Sequence, residues 1–411
     1  MVAATFFIPH LIEKSDGRNK RNSSRFIVCQ NRFKKLSKMN IEIKTVQTKK
    51  ELNAFIKLPW KVYKNDPHWV PPLILDMKKI LNKKKNPFFT HSDAELFLAQ
   101  KDGEVVGRVA AILNNNHNKT HNEKTGFFGF FECMNEPEAA KELLNSAESW
   151  VKEKGMTSFR GPTNFSTNDT CGFLTEGFDL SPAIMMTYNP KYYLDFIKES
   201  GLNKVKEFYA YYLHEDTPMP ERFINFAKKT LQDKSLRFRN INMKDFKNEV
   251  EIIQQIYNDA WENNWGFVPM EKAEFTHMAK DLKPVVDPDI VFIAEVNGEP
   301  AGFSLALPDY NQILKNINGR LLPFGIFKLL LNKKKITAVR VITLGVRHKF
   351  QKKRGLAPAF YYETYMRGIN KGYSSGEFSW ILEDNVLMNR ALEGIGAKVY
   401  KKYAMYEKNI D

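Results

Sequence analysis

Near the carboxyl end of the chain, the order of apolar and polar positions predicts a strand, a loop and a helix. Residues 339–343 are mostly β-branched and apolar, as is typical of a buried strand. A basic, glycine-bearing loop follows at residues 352–357, and residues 358–370 have the composition of a helix. This segment is the most informative part of the sequence.

A loop of this kind can bind an anion. Successive backbone N–H groups and a helix N-terminus point to one place, and Lys352, Lys353 and Arg354 add full positive charges. Gly355 allows the backbone to approach a phosphate closely. A basic, solvated turn is the alternative interpretation of the same residues.

The pattern continues to the end of the chain. Apolar residues alternate with polar ones over residues 378–382, which predicts a strand. Residues 383–385 then open a stretch with helical spacing that ends at Gly396. A Tyr-rich strand is predicted over residues 399–406.

Parts of this pattern occur twice. Asp102-Gly103 and Asn297-Gly298 are two-residue hairpin signals between alternating apolar runs, and they lie 298 − 103 = 195 residues apart. The Tyr-rich stretches at residues 209–212 and 403–406 lie 403 − 209 = 194 residues apart. The chain is therefore predicted to contain two tandem copies of one α/β unit.

We predict the copies over residues 41–214 and 215–411, with the first strand at residues 41–46. Residues 1–40 contain nine basic and two acidic residues and no clear periodicity. They are predicted to be a disordered basic extension or the product of a start site placed too early. A transit segment or a membrane-contact tail is the functional alternative.

The two copies are not equivalent. In the first, a strand-like run at residues 126–133 leads into residues 135–140, which contain two acidic residues, no glycine and no basic residue. Such a loop would repel a pyrophosphate. We therefore expect a nucleotide only in the second copy, with the first acting as a structural half or as a wall of the acceptor pocket.

The formal net charge of +15 suits nucleic acid, an anionic membrane, or an acidic cofactor or carrier protein. The lysine runs at residues 83–85 and 333–335 lack the aromatic spacing of a base-stacking platform, so no nucleic-acid partner is predicted. Cys29, Cys133 and Cys171 are widely spaced, which favours a reducing compartment. We expect a cytoplasmic protein, with contact at the inner membrane face as an alternative.

Together these residues resemble the GCN5-related N-acetyltransferase (GNAT) superfamily, whose pyrophosphate motif is (Q/R)-x-x-G-x-(G/A). Gly355 and Ala357 fill the two small positions, and Lys352 replaces the usual Gln or Arg. From residue 41 onward the chain is similar to tandem GNAT proteins of the bacterial YghO-like group, through residues 164–190 and 379–385. The resemblance implies, for each unit, a mixed, mostly antiparallel central sheet flanked by helices.

The resemblance also implies acyl transfer from acetyl-CoA or a longer acyl-CoA. His117 and His121 lie four residues apart in a polar loop without a convincing third ligand nearby, so no metal site is predicted. The resemblance assigns pantetheine contacts to residues 343–346, with Leu344 as oxyanion donor, and further cofactor contacts to Val346 and Asn385. The pyrophosphate contacts fall on Lys352, Lys353, Arg354, Gly355, Leu356 and Ala357.

The catalytic groups are less directly implied. Many members have a Tyr seven residues after the position of Asn385, but Leu392 stands there. Tyr400 or water is the substitute that we expect as the general acid. Glu383, a carboxylate at a strand end, is the first choice for general base or amine anchor, and helix N-terminal capping is the alternative.

An acceptor pocket is predicted from residues 161–193, a long polar stretch with interleaved aromatics. Asn164, Asn168, Asp169 and Glu176 are its candidate lining residues, and self-satisfied turns are the alternative. Trp265 is either a lid over an apolar acceptor or ordinary packing.

Residues 321–335 join an apolar stretch to three lysines. They suit an interfacial helix with a basic anchor, or else a core helix whose lysines complement the helix dipole.

The predicted function is N-acyl transfer from a phosphopantetheine thioester to a small-molecule or lipid amine in the second copy. An acyl carrier protein is an alternative donor. A long-chain N-acyltransferase that makes ceramide-like lipids and an inactive acyl-CoA-binding module are the alternative functions.

Overall fold

The computed structural model describes residues 41–410. The predicted N-terminal extension, including Cys29, lies outside these residues, as does Asp411. Cys133 and Cys171 are buried free thiols.

The first half begins with the strand β1 (Ile41–Thr45) and ends with a long strand, β7. Its other strands are β2 (Asp93–Lys101), β3 (Glu104–Leu113), β4 (Thr125–Cys133), β5 (Ser158–Gly161), β6 (Phe173–Glu176) and β7 (Asn203–His214). Its helices are α1 (Lys49–Lys57), α2 (Pro59–Val62), α3 (Ile74–Ile80), α4 (Asn115–His121), α5 (Pro137–Glu153) and α6 (Tyr193–Glu199). A 3₁₀ turn forms at Pro87–Thr90.

The second half contains six strands, which correspond in order to those of the first half apart from β6. Its strands are β8 (Leu236–Asn240), β9 (Val291–Val296), β10 (Glu299–Pro308), β11 (Ala338–Val346), β12 (Ser375–Leu382) and β13 (Lys398–Asn409). Its helices are α7 (Glu221–Leu231), α8 (Phe246–Trp261), α9 (Lys272–Leu282), α10 (Asn311–Leu314), α11 (Gly325–Asn332), α12 (His348–Gln351), α13 (Leu356–Asn370) and α14 (Val386–Gly394). Two 3₁₀ turns form at Met243–Asp245 and Lys333–Lys335.

The two predicted hairpins form. Asp102 and Gly103 have φ angles of 51° and 84°, and Asn297 and Gly298 have φ angles of 52° and 81°. Positive φ at both central residues is the geometry that matches the right-handed twist of the flanking strands. The repeat therefore appears in the backbone as well as in the sequence.

All the strands of the described residues belong to one 13-stranded sheet, ordered β1-β2-β3-β4-β5-β13-β7-β12-β11-β10-β9-β8, with β6 beside β13. The β4–β5 and β11–β12 pairs are parallel, and the other pairs are antiparallel. This confirms the predicted fold class, a mixed, mostly antiparallel sheet flanked by helices.

The last strand of each half lies in the sheet of the other half. β13 pairs with β5, where Tyr406 is opposite Gly161, and β7 pairs with β12, where Tyr212 is opposite Glu377. β7 and β13 also pair with each other. The two halves are thus joined by an exchange of their final strands, and the predicted boundary at residues 214/215 stays a prediction.

Helices cover the sheet through their apolar faces. On α5, Ala139, Ala140, Leu143, Leu144, Ala147 and Val151 follow helical spacing and are buried in the first-half core. On α13, Leu356 and Phe360 pack against strand residues of the second half. Within residues 41–410, no helix combines the length and the apolar character needed to cross a bilayer.

Candidate functional site

The second half contains an opening between two parallel strands. β11 and β12 pair from Ala338 opposite Ser375 to Val341 opposite Phe378, and the pairing then stops. Beyond that point β12 continues along β7, with an irregularity between Phe378 and Ile381. Residues 342–346 keep only β10 as a strand neighbour. We call the opening bordered by residues 342–346 and 379–382 the second gap.

The predicted anion loop connects β11 to α13 at the end of the second gap. Gly355 immediately precedes α13 and has a φ of 86°, a conformation that favours glycine. It is also closely packed, because a Cβ at this position would lie 2.2 Å from Thr230 Oγ1. Both facts explain the glycine in the loop.

The loop presents backbone donors. Within residues 41–410, the N–H groups of Arg354, Gly355 and Ala357 donate to no carbonyl and no side chain. Lys352 is exposed, whereas Lys353 Nζ bonds Asp233 at 3.0 Å. The loop therefore offers free amides and a free cation at the start of a helix, the arrangement that binds anions.

The other predicted cofactor residues have definite places. Leu344 and Val346 are half-buried against the cluster that contains Leu356 and Phe360. Asn385 caps α14, and its side chain accepts a hydrogen bond from Met388 N–H at 3.2 Å. The Oδ1 atom of Asn385 is therefore already occupied by a helix-capping hydrogen bond.

A buried polar cluster, which the sequence analysis did not single out, lies where β11 and β12 begin to part. Arg340 on β11 and Glu377 on β12 are direct neighbours, 2% and 4% exposed, with 3.5 Å between Arg340 Nε and Glu377 Oε1. Arg340 also donates to Ser379 Oγ at 2.9 Å. Ser379 and Tyr400 both donate hydrogen bonds to the Glu377 carboxylate.

Residues of the first half complete the cluster. Arg340 donates to Ile184 O at 2.9 Å, and Lys401 Nζ donates to Ser181 O at 2.6 Å. Asp309 Oδ1 accepts from Ile184 N–H at 2.8 Å. Burial raises the pKa of Asp309 to about 6 and lowers the pKa of Lys401 to about 8.

Tyr400 is held against Glu377 rather than free. Burial, and then the neighbouring Glu377 carboxylate, raise the Tyr400 pKa far above its ordinary value. A phenolate beside this carboxylate is strongly disfavoured. The predicted role of Tyr400 as a net proton donor stays a prediction, and this electrostatic setting weighs against it.

Polar atoms without a partner lie around the second gap. Thr343 Oγ1, Trp380 Nε1 and Tyr403 OH are buried and make no hydrogen bond within residues 41–410. The Trp380 and Tyr403 rings are 6.1 Å apart, and Thr343 lies on the opposite strand. Buried polar atoms are normally paired, so these three groups are exceptions among the described residues.

Glu383 lies away from this cluster, in the exposed turn after β12. Its carboxylate accepts a hydrogen bond from Glu207 N–H at 3.2 Å, and its own N–H donates to Glu207 O at 3.1 Å. The turn is thereby attached to β7. The predicted catalytic role of Glu383 stays a prediction.

The predicted acceptor residues do not form one group. Asn168 donates to Val268 O at 2.8 Å and accepts from Tyr257 OH at 2.8 Å, so it joins the two halves. Asp169 accepts from Ser166 Oγ at 3.0 Å, and Glu176 pairs with Lys402 at 2.9 Å. Trp265 packs at 6.2 Å from the Phe208 ring.

The remaining predicted acceptor residue, Asn164, closes the corresponding opening of the first half. There β4 and β5 part after Phe127 opposite Arg160. Asn164 Oδ1 accepts from Phe130 N–H at 2.7 Å, and Thr163 N–H donates to Phe128 O at 2.7 Å. The chain itself therefore pairs with the edge of β4 that the opening would otherwise expose.

Sequence reasoning missed Arg340 and Glu377, although a signal was present. Each is a charged residue inside an apolar strand pattern, where a charge needs a partner. Pairing them required the parallel register of β11 and β12, which no periodicity in the sequence specifies.

Comparisons with known proteins give consistent results. The chain is 36% identical over 375 residues to the Bacterial ceramide synthase of Caulobacter vibrioides, covering 90% of this chain and 97% of that protein. It is 35% identical over 376 residues to Protein YghO of Escherichia coli, covering 90% and 95%. No known family profile matches the chain.

Among solved structures, a tandem GNAT protein from the clavulanic acid biosynthesis pathway superposes with a TM-score of 0.55. The match covers 90% of this chain and 98% of that one at 10% identity, so it bears on the fold alone. The tandem GNAT fold predicted from the sequence is confirmed.

Proposed function

Since the chain belongs to the family that contains Protein YghO and the bacterial ceramide synthase, we propose that it is an N-acyltransferase with one working site. The site is the second gap. Its substrates are an acyl-CoA, the thioester donor, and an amine. The first half contributes no donor site of its own and serves as a wall of the acceptor pocket.

The observation that carries this proposal is the difference between the two halves. Residues 342–346 lack a strand partner on the side facing β12, and the free amides of the anion loop lie at the end of the same strand. In the first half, residues 163–164 occupy the equivalent edge of β4. A thioester carrier needs both a strand edge for its amides and a place for its phosphates.

The reaction forms a bond from the amine nitrogen to the thioester carbonyl carbon and breaks the carbon–sulfur bond. The nitrogen loses one proton and the departing thiolate gains one. Tyr400 lies between the amine and Glu377 in this scheme, taking the amine proton as its own proton passes to Glu377. No free phenolate forms, in keeping with the high Tyr400 pKa.

The thiolate needs no strong acid, because thiols ordinarily have a pKa of about 8.5. It takes its proton from water, and Glu377 returns the amine proton to solvent, so that no net charge or proton is left over. Arg340 holds Glu377 in place from the neighbouring strand, at 3.5 Å. In this scheme Glu377 replaces Glu383, the base expected from the sequence.

The acceptor that we propose is a long-chain lipid amine. A ceramide is a long-chain base acylated on nitrogen, and a relative with 36% identity along 97% of its length is named Bacterial ceramide synthase. Trp380, Tyr403 and Phe208 give the second gap an aromatic side suited to an alkyl chain.

Release of free CoA thiol, measured with acetyl-CoA and a long-chain acyl-CoA, tests the function. Each donor is offered with a long-chain amino alcohol or with a small polar amine. The expected result is the fastest release with the two long-chain substrates. Tight acyl-CoA binding without turnover for any amine would instead identify a binding module. Turnover only with an acylated carrier protein would show that the donor is this carrier protein and not acyl-CoA.

Tyr400→Phe tests the proton path. It should lower kcat by roughly a hundredfold, within the range of general acid–base contributions, with little change in the KM for acyl-CoA. Tyr212→Phe is the matched control, since its ring lies 5.6 Å from that of Tyr400 on a neighbouring strand. Equal rates for the two variants would remove Tyr400 from the reaction.

A further inference from the structure

The second half carries an insertion that the first half lacks. The β10–β11 connection has 29 residues (309–337), whereas the equivalent β3–β4 connection has 11 residues (114–124). An insertion of this size at one copy of a repeat points to a role beyond closing the turn.

The insertion is firmly anchored on one side. Leu329 packs with Ile313 and Ile317 in a cluster that includes the buried Tyr310. Ile74 N–H donates to Gly319 O at 3.0 Å, which ties the insertion to the first half. The insertion is therefore packed and hydrogen-bonded as an ordered part of the fold.

The opposite side presents large apolar side chains to solvent. Within ten residues, five of them are more than half exposed: Leu322 (65%), Phe324 (74%), Phe327 (61%), Leu330 (63%) and Leu331 (78%). We call these five residues the apolar patch. Large apolar side chains exposed together over so short a segment are typical of an interaction surface.

Beyond Asp309, the charged residues of the insertion have one sign. Residues 310–337 contain six basic residues and no acidic residue. Arg320, Lys328 and the three lysines at 333–335 are exposed. Aromatic and aliphatic side chains next to exposed lysines are the composition of helices that lie in the headgroup region of anionic bilayers.

We propose that the apolar patch docks the protein on an anionic lipid bilayer, with α11 lying in the membrane interface. A bilayer fits better than a protein partner, because a segment without a single acidic residue (310–337) complements a uniformly negative layer.

The root of the insertion also touches the polar cluster of the second gap. Asp309 accepts from Ile184 N–H, and Ile184 O accepts from Arg340. Resting on the proposed function, docking therefore brings the working site near the lipids from which a lipid amine would come.

Flotation of the full chain with lipid vesicles tests the proposal. Vesicles of phosphatidylcholine with phosphatidylglycerol should bind the protein, and vesicles of phosphatidylcholine alone should bind it much less. Replacing Lys333, Lys334 and Lys335 together by Gln should weaken binding to the anionic vesicles by roughly a hundredfold. The double variant Phe324→Ser/Leu331→Ser should weaken it at least about tenfold.

Matched controls separate the patch from general surface properties. Replacing Lys83, Lys84 and Lys85 by Gln removes the same charge elsewhere, and Leu387→Ser removes another exposed leucine, at 83% exposure. The controls should bind vesicles as the wild type does. Equal losses in patch and control variants, or no vesicle binding by the wild type, would overturn the proposal.

A soluble assay keeps the two proposals distinguishable. The patch variants should acylate a water-soluble amine at the wild-type rate, because no patch residue contacts the polar cluster in the described structure. Vesicle binding is measured without turnover, so an inactive protein that binds vesicles would contradict the proposed function alone.

Discussion

At the scale of single residues, the buried Arg340–Glu377 pair is a feature that needs an explanation. Removing two charges from water is costly, and the cost is offset only when every remaining donor and acceptor is satisfied. Ser379, Tyr400 and Ile184 supply these bonds. A pair maintained in this way, beside a strand opening, is consistent with a site that fixes a carboxylate in one orientation.

Glu383→Gln discriminates between the two candidate bases. Because the Glu383 carboxylate is exposed and accepts from Glu207 N–H, kcat should stay within about twofold of the wild type. The measurement is steady-state acyl transfer at saturating donor. A large fall in kcat with an unchanged KM would restore Glu383 as the base that the sequence predicts.

His117 gives a pH dependence of stability. Burial lowers its pKa to about 4 from 6.5, with Glu123, Arg160 and His121 around it. The unfolded chain therefore binds more protons than the folded chain between about pH 6.5 and 4, so the free energy of unfolding falls as the pH drops through this window.

Denaturant unfolding of the wild type and His117→Gln at two pH values checks this. Between pH 6.5 and 5, the free energy of unfolding of the wild type should fall by about 2 kcal/mol more than that of the variant. The wild type must be compared with the variant, because other groups titrate in the same range. Asp309, whose pKa is raised to about 6, makes the free energy of unfolding rise, not fall, as the pH drops from about 6 to 4. Parallel curves for the two proteins would contradict the assignment to His117.

Single residues with special backbone needs were the easiest to predict. Gly103, Gly298 and Gly355 all have the positive φ that their turns require. Asn164 shows the opposite case, since its place at the edge of β4 depends on a contact 34 residues away in sequence.

At the scale of elements, phosphate binding by the anion loop can be tested with a single substitution. Gly355 itself is unsuitable, because a side chain there would collide with Thr230 and strain the backbone. Ala357 is exposed in the first turn of α13. A charge placed at residue 357 meets the bound phosphates without disturbing the core.

Ala357→Glu should weaken CoA binding by tenfold or more, because a carboxylate at the helix start repels the phosphates. Ala357→Gln, of the same size without the charge, should bind within about threefold of the wild type. Isothermal titration with CoA measures both, and their melting temperatures should match. Equal affinities for CoA would move the phosphate site elsewhere.

Periodicity located the strands and helices of the repeat well, since the β11–α13 and β12–α14–β13 segments lie where the patterns indicated. The pantetheine contacts at residues 343–346 were expected only from the family resemblance, and the second gap itself was not predicted. A strand opening is a property of register between two strands, and the sequence pattern of each strand is the same whether they stay paired or part.

At the scale of the whole molecule, the exchange of β7 and β13 makes the site a joint product of both halves. β7, from the first half, lies between β12 and β13. Glu377 and Tyr400 therefore meet across a strand contributed by the other copy. This arrangement supports the interpretation of the first half as a wall of the acceptor pocket.

The exchange was beyond sequence analysis for a simple reason. The two copies repeat at a nearly constant spacing, so the pattern is identical whether a final strand pairs within its own half or with the other. Only the pairing of β5 with β13 and of β12 with β7 distinguishes the two arrangements.

The central claim is that one of two similar openings holds the thioester. Hydrogen–deuterium exchange, followed by peptide with and without a long-chain acyl-CoA, tests it most directly, because ligand contacts slow local opening. The predicted result is slower exchange over residues 342–357 and no change over residues 129–140. Protection over residues 129–140 instead, or no protection over residues 342–357, would contradict the account.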